Sequence, residues 1–224
     1  MKTISDIRVF RSNIDNIDGN SQPTGFGNKR LIVLLRRIVM KLREYGFSLG
    51  EFDHLYINFT TCLPPDTIRP SQRSIDPYHK WYRYYDIGIP EETYNQLVSD
   101  DKIDFIIAKT HEILSTFFAF DGKQSIEECF TEARERGEQM MVLYKTKETD
   151  KLTAYIYLQY LDSGKYFLHL IVKNLNQEEI LHKHLGEVLD LSIIGEIQLT
   201  SKKVTIKPRK NAFTQYLKPI VFEI

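Results

Sequence analysis

Residues 139–174 constrain this chain more than any other stretch, because apolar side chains there recur at every second position: Met140, Val142, Tyr144; Ala154, Ile156, Leu158; Leu168, Leu170, Val172. Successive side chains of a strand point to opposite faces, so this spacing lays one face of a sheet on a core. Two short polar turns divide the stretch into strands over 140–147, 152–161 and 165–173, an antiparallel meander. The meander is scaffold, since nothing in it sets a nucleophile, a base and a ligand at a chemically demanding spacing.

With 224 residues, 42% of them hydrophobic, the chain can bury a core as one large domain or as two smaller ones. Its 30 basic and 30 acidic residues cancel, so no global field draws it to nucleic acid or to an anionic bilayer. The opening MKTISDIRVFRSNIDN carries charges every few residues and no apolar run like that of a secretory signal. No segment approaches the ~20 apolar residues of a membrane span. A cytoplasmic protein without a membrane partner is the expectation. Cys62 and Cys129 stand alone, without CxxC spacing, which argues against a disulfide framework or a structural zinc site.

Read in order, the chain gives a short strand over 3–11 and a polar loop over 13–28. Asn28 then caps a helix over 29–45 that stops at Gly46. Its apolar stripe is Leu31, Leu34, Leu35, Ile38, Leu42 and Tyr45, and its other side carries Lys29, Arg30, Arg36, Arg37, Lys41 and Arg43. Such a basic back suits nucleic acid or a membrane surface; the simpler reading is the solvated side of a core-packed helix. A strand over 54–60, a loop over 66–77 and an aromatic strand over 78–87 follow, then helices over 91–98 and 102–118. Asp121-Gly122 marks the boundary between halves 1–120 and 121–224. Ser125 and Glu128 form a capping box for a helix over 126–136 ending at Gly137. Beyond the meander, 177–185 reads as helix, 195–200 with 203–207 as a hairpin, and 213–224 as a short helix or an edge strand. The expected fold is α+β, with antiparallel sheets and packed helices in two halves, each combining helices with an antiparallel meander.

Motifs that would assign chemistry are missing: GxxxxGK[ST], GxGxxG after a strand, GxSxG and HExxH do not occur. His182 and His184 are the only histidine pair; on a helix they would diverge by about 200°, on a strand they would share a face. Zinc wants three or four ligands and no third stands nearby in sequence, so surface histidines are expected. Adjacent residues of a strand point apart, which argues against an Asp53-His54 dyad. Cys62 reads as a small buried hydrophobe before it reads as a nucleophile. The glutamates at 127, 128, 132, 135 and 138 read as a solvated helix face partnered by Arg134 and Arg136. No cofactor and no metal are expected.

Function is placed on Arg69, Arg73, Tyr78, Lys80, Trp81, Tyr82, Arg83 and Tyr84. Arginine, tyrosine and tryptophan dominate binding hot spots because they bury large areas at small entropic cost and keep a polar end. The same mixture can stack single-stranded bases, but the neutral charge favours a protein partner. The run from His54 to Pro90, with LYINFTTCLP, an arginine-bearing loop and KWYRYYDIGIP, resembles small uncharacterised α+β proteins of Gram-positive bacteria, some of them toxin-immunity proteins. That resemblance implies a protein that occludes a toxin and does no chemistry of its own. Two other readings stay open: a small-molecule enzyme with a pocket between the halves, and nucleic-acid binding through the helix over 29–45.

Overall fold

The structure, a computed structural model, describes residues 2–15, 23–72, 78–212 and 214–224. Residues 16–22 and 73–77, which belong to the two expected loops, and residue 213 lie outside the described residues. The protein is α+β with antiparallel sheets. It divides into two compact units, Met1–Gly137 and Glu138–Ile224, so the helix over 126–136 belongs with the first unit and not with the meander. No helix among the described residues is long and apolar enough to cross a membrane.

The first unit comprises β1 (Lys2–Thr3), β2 (Asp6–Ser12), β3 (Thr24–Gly25), α1 (Lys29–Glu44), β4 (Ser48–Gly50), β5 (His54–Thr60), β6 (Ile68–Pro70), β7 (Tyr82–Gly88), α2 (Glu91–Gln96), α3 (Ile103–Phe117) and α4 (Ile126–Arg136). Its main sheet runs β3-β2-β5-β7-β6, and β1 pairs with β4 in a separate two-stranded sheet. The three central strands, β2, β5 and β7, are mutually parallel, and the antiparallel pairs are the two edges. An antiparallel meander was the expectation for this half. The helix α1 lies between β2 and β5 and carries the chain back across the sheet, which is how neighbouring strands come to point the same way.

α1 begins where Asn28 accepts a hydrogen bond from the Arg30 amide at 2.9 Å, and ends before Gly46, whose φ is 81°. It is buried on more than the expected stripe: Val33, Val39 and Met40 are also buried, because α1 packs on β2 and on α4. Its basic side is in part engaged within the unit, with Lys29, Arg30 and Arg43 exposed. Lys41 is buried and pairs with Glu44 at 2.8 Å and with Glu132 of α4 at 3.1 Å. Arg30 pairs with Asp100 at 3.1 Å, and Arg36 donates to the Ser5 carbonyl at 3.3 Å. The Ser125 capping box of α4 is present in both directions.

The second unit comprises β8 (Val142–Glu148), β9 (Leu152–Tyr160), β10 (Tyr166–Asn174), β11 (Glu179–Val188), β12 (Glu196–Leu199), β13 (Lys203–Lys207) and β14 (Ile220–Glu223). The meander is there as read, in a four-stranded antiparallel sheet ordered β11-β10-β9-β8. Ala154, Ile156, Leu168, Leu170 and Val172 are fully buried on its inner face. Each larger side chain among them contributes about 1.5–3 kcal/mol relative to exposure. The expected hairpin is β12-β13, extended by β14 as an edge strand, and β12 packs on β8 and β9.

The segment over 177–185, expected to be helical, is instead strand β11. The chain reverses just before it. The Asn174 side chain accepts hydrogen bonds from the amides of Asn176 at 2.9 Å and Glu178 at 3.0 Å, and Gln177 takes a φ of 64°. β10 would otherwise expose a row of backbone donors and acceptors, and pairing with β11 satisfies them. That gain outweighs the helix propensity of its glutamate, lysine and leucine residues.

Candidate binding face and a histidine cluster

The register of the parallel strands lines up Arg8, Tyr56 and Tyr84 in one row and Phe10, Asn58 and Asp86 in the next. Alternation sends these to one side of the sheet. The opposite side carries Phe59 and Tyr85, which meet Phe105 and Phe117 of α3. On the first side Tyr56 stacks on Tyr82, ring centres 4.6 Å apart and planes 12° from parallel, and stands edge-on to Tyr84 at 5.2 Å. Phe10 joins them, 5.0 Å from Tyr56 and 5.3 Å from Tyr84. The Arg8 guanidinium, held by Asp6 at 2.7 Å, lies 5.6 Å from the Tyr56 ring centre. Contacts of this kind contribute ~0.5–1.5 kcal/mol each beyond area burial. Tyr56 is buried at the middle of the group, and burial pushes its phenol above the ordinary value while Arg8 pulls the other way. Phe10, Tyr82 and Tyr84 are half-buried and Arg8 is exposed.

The residues expected to carry function divide three ways. Tyr82 and Tyr84 belong to this ring cluster, and Trp81, 40% exposed, stands at its end with its ring edge-on to His79 at 4.5 Å. Tyr78, 86% exposed, and the exposed Lys80 precede it. Arg83 points to the other face, where it lies over the Phe52 ring at 5.5 Å and donates to the carbonyls of Tyr82 at 2.7 Å and Lys80 at 3.2 Å. Arg69 of β6 sits directly across from Asp86, with its Nε buried and without a hydrogen-bond partner among the described residues. Asp86 accepts from Asn58 at 2.8 Å, and Asn58 also donates to Ser12 at 3.1 Å. Arg73 lies outside the described residues. Sequence reading missed Arg8, Phe10 and Tyr56, which register alone brings to the site; the alternation of β2 and β5 was the available signal.

Two further expectations are corrected. The Asp53 carboxylate lies 2.8 Å from Nδ1 of His54, because Asp53 precedes β5 and the alternation of a strand does not govern it. Cys62 is exposed and Cys129 buried, so only the second behaves as a packed hydrophobe.

In the second unit, strand β11 places His182 and His184 on the face that already holds His169 of β10, which supplies the third imidazole the sequence reading lacked. Register sets His169 opposite His184 and Ile171 opposite His182. His169 is only 7% exposed although it stands on the outer face, since the other two rings and Phe167 surround it. Burial, with His184 and His182 beside it, holds His169 below the usual imidazole range. Its Nε2 lies 2.9 Å from the Gln159 carboxamide oxygen and its Nδ1 3.3 Å from Nε2 of His182. Nδ1 of His182 lies 3.4 Å from the Glu179 carboxylate. Period-two spacing would have found the pair had 177–185 been read as a strand.

No family model, no curated protein and no solved structure matches this chain.

Proposed function

We propose that the protein is a non-enzymatic binding protein that recognises another protein through the aromatic side of the first unit's sheet. The observation that carries this is the contact group of Phe10, Tyr56, Tyr82 and Tyr84, rings that brace one another, stay half-exposed at the rim and lie on the side opposite α3. Rings held this way lose little entropy when covered, which is what makes aromatic residues effective anchors. Arg8 is exposed, with only its Nε held by Asp6, so the partner surface suited to this face is one that combines apolar contact with carboxylates. The basic side of α1 favours nucleic acid less, since Lys41 is buried between Glu44 and Glu132, Arg30 pairs with Asp100 and Arg36 donates to the Ser5 carbonyl. A toxin held by its immunity protein is a partner of this kind, and occlusion needs no catalytic group on this chain.

The test compares wild-type protein with a Trp81→Ala/Tyr84→Ala double variant as bait, with recovered proteins identified by mass spectrometry and then bound to the purified chain. The reading requires a directly binding protein whose affinity falls at least about 30-fold in the variant, the loss of two hot-spot residues costing ~2 kcal/mol or more. Equal recovery by both baits would refute it.

A further inference from the structure

We propose that His169, His182 and His184 form a binding site for a divalent transition metal ion of zinc's class, on the outer face of the second unit's sheet. The inference rests on how the rings are oriented as well as on their closeness. Nε2 of His169 lies 2.9 Å from the Gln159 carboxamide oxygen, and Nδ1 of His182 lies 3.4 Å from the Glu179 carboxylate. A metal ion on Nδ1 of His169 and Nε2 of His182 would turn the N–H of each ring toward these two oxygens. Nδ1 of His169 and Nε2 of His182 face each other at 3.3 Å. A cation bound there takes both nitrogens as ligands.

The separation also fits. Two nitrogens bound at about 2.0–2.1 Å to a tetrahedral zinc stand about 3.3–3.4 Å apart. All three ligand atoms lie within 4.8 Å of one another. His184 is exposed, so its ring can swing inward by the remaining ~1.5 Å at most to reach tetrahedral spacing. Metal-binding imidazoles characteristically give their other N–H to a carboxylate or carbonyl, the role that Gln159 and Glu179 fill here.

The backbone is shaped to bring the three rings together. In a regular strand His182 and His184 would share a face with Gly186 and Val188, which sit opposite Leu168 and Tyr166 of the inner face. The register shifts between Leu168 and His169, and that bulge turns the histidines outward onto His169 while Val188 stays inward. Bulges re-aim side chains in this way beside functional sites. Three neutral nitrogen donors suit zinc, cobalt, nickel or copper, and a site without oxygen ligands offers little to magnesium or calcium. With two of the three rings exposed, the fourth coordination position opens to solvent.

The test is a zinc titration of the full chain, free of any polyhistidine tag and stripped of metal, in competition with a chromogenic chelator. Wild-type protein should take up one equivalent, and a large excess of Mg²⁺ should not displace it. His182→Ala and His184→Ala, both at exposed positions, should keep the circular dichroism spectrum and each weaken binding by more than about tenfold, and Gln159→Leu should weaken it by about 10–100-fold. The proposal is overturned if wild-type protein takes up no zinc, if the His182→Ala/His184→Ala double variant takes up as much, or if Gln159→Leu binds as tightly as wild type. It stands or falls independently of the aromatic face, whose test involves no metal.

Discussion

At the scale of single residues, the two cysteines separate by environment. Burial in α4 pushes the Cys129 thiol up to about 11, whereas Cys62 is exposed. The thiolate is the reactive form. Iodoacetamide at pH 8 should therefore alkylate Cys62 in the native protein and reach Cys129 only after denaturation, as peptide mass spectrometry would show; equal native labelling would contradict the packing of α4 on α1. Lys41 offers a second case. Burial alone would lower its ammonium pKa, but Glu44 and Glu132 reverse that and leave it above the ordinary 10.5. A pKa higher in the folded than in the unfolded state means the stabilisation is complete below the unfolded value and disappears as pH rises through the folded one. Lys41→Ala should cost on the order of 2 kcal/mol at neutral pH by stripping two half-buried carboxylates of their partner. The loss should shrink in alkaline urea melts.

At the scale of elements, the bulge in β11 is the point where geometry is most exacting. Gly186 takes a φ of 91° there, a conformation that side-chain-bearing residues resist by about 1–2 kcal/mol. Gly186→Ala should lower thermal stability by that amount, and should weaken zinc uptake although no histidine is touched. The same strand shows where sequence reading ends. The meander, the β12-β13 hairpin and the helices were legible because alternation, the Asn28 cap, the Ser125 box and Gly46 are local signals that the structure uses. β11 was not, because its two register shifts break alternation and its composition suits a helix. Parallel pairing of β2, β5 and β7 was hidden for another reason: direction is set by the path of the chain, through α1 between β2 and β5 and through β6 between β5 and β7, and a strand's own sequence does not encode it. The proposed binding face was half legible in the same sense. Tyr82 and Tyr84 are neighbours in sequence, but Phe10, Arg8 and Tyr56 reach them only through register.

At the scale of the whole molecule, 30 basic and 30 acidic residues leave no net charge at pH 7. Solubility should pass through a minimum near that pH and rise on either side, which precipitation against pH would measure. Neutrality also sharpens a hazard at the rim of the second unit. β11 is ten residues long and closes the sheet on one side, pairing among the described residues with β10 alone, so its outer row of amides and carbonyls could template a visiting strand and start a fibre. Glu179, Lys183 and Glu187 recur along it, and its two irregularities bend it out of the flat form that a newcomer needs. The kinks that gather the imidazoles thus double as a guard against polymerisation, and straightening this border would expose the protein to amyloid-like growth.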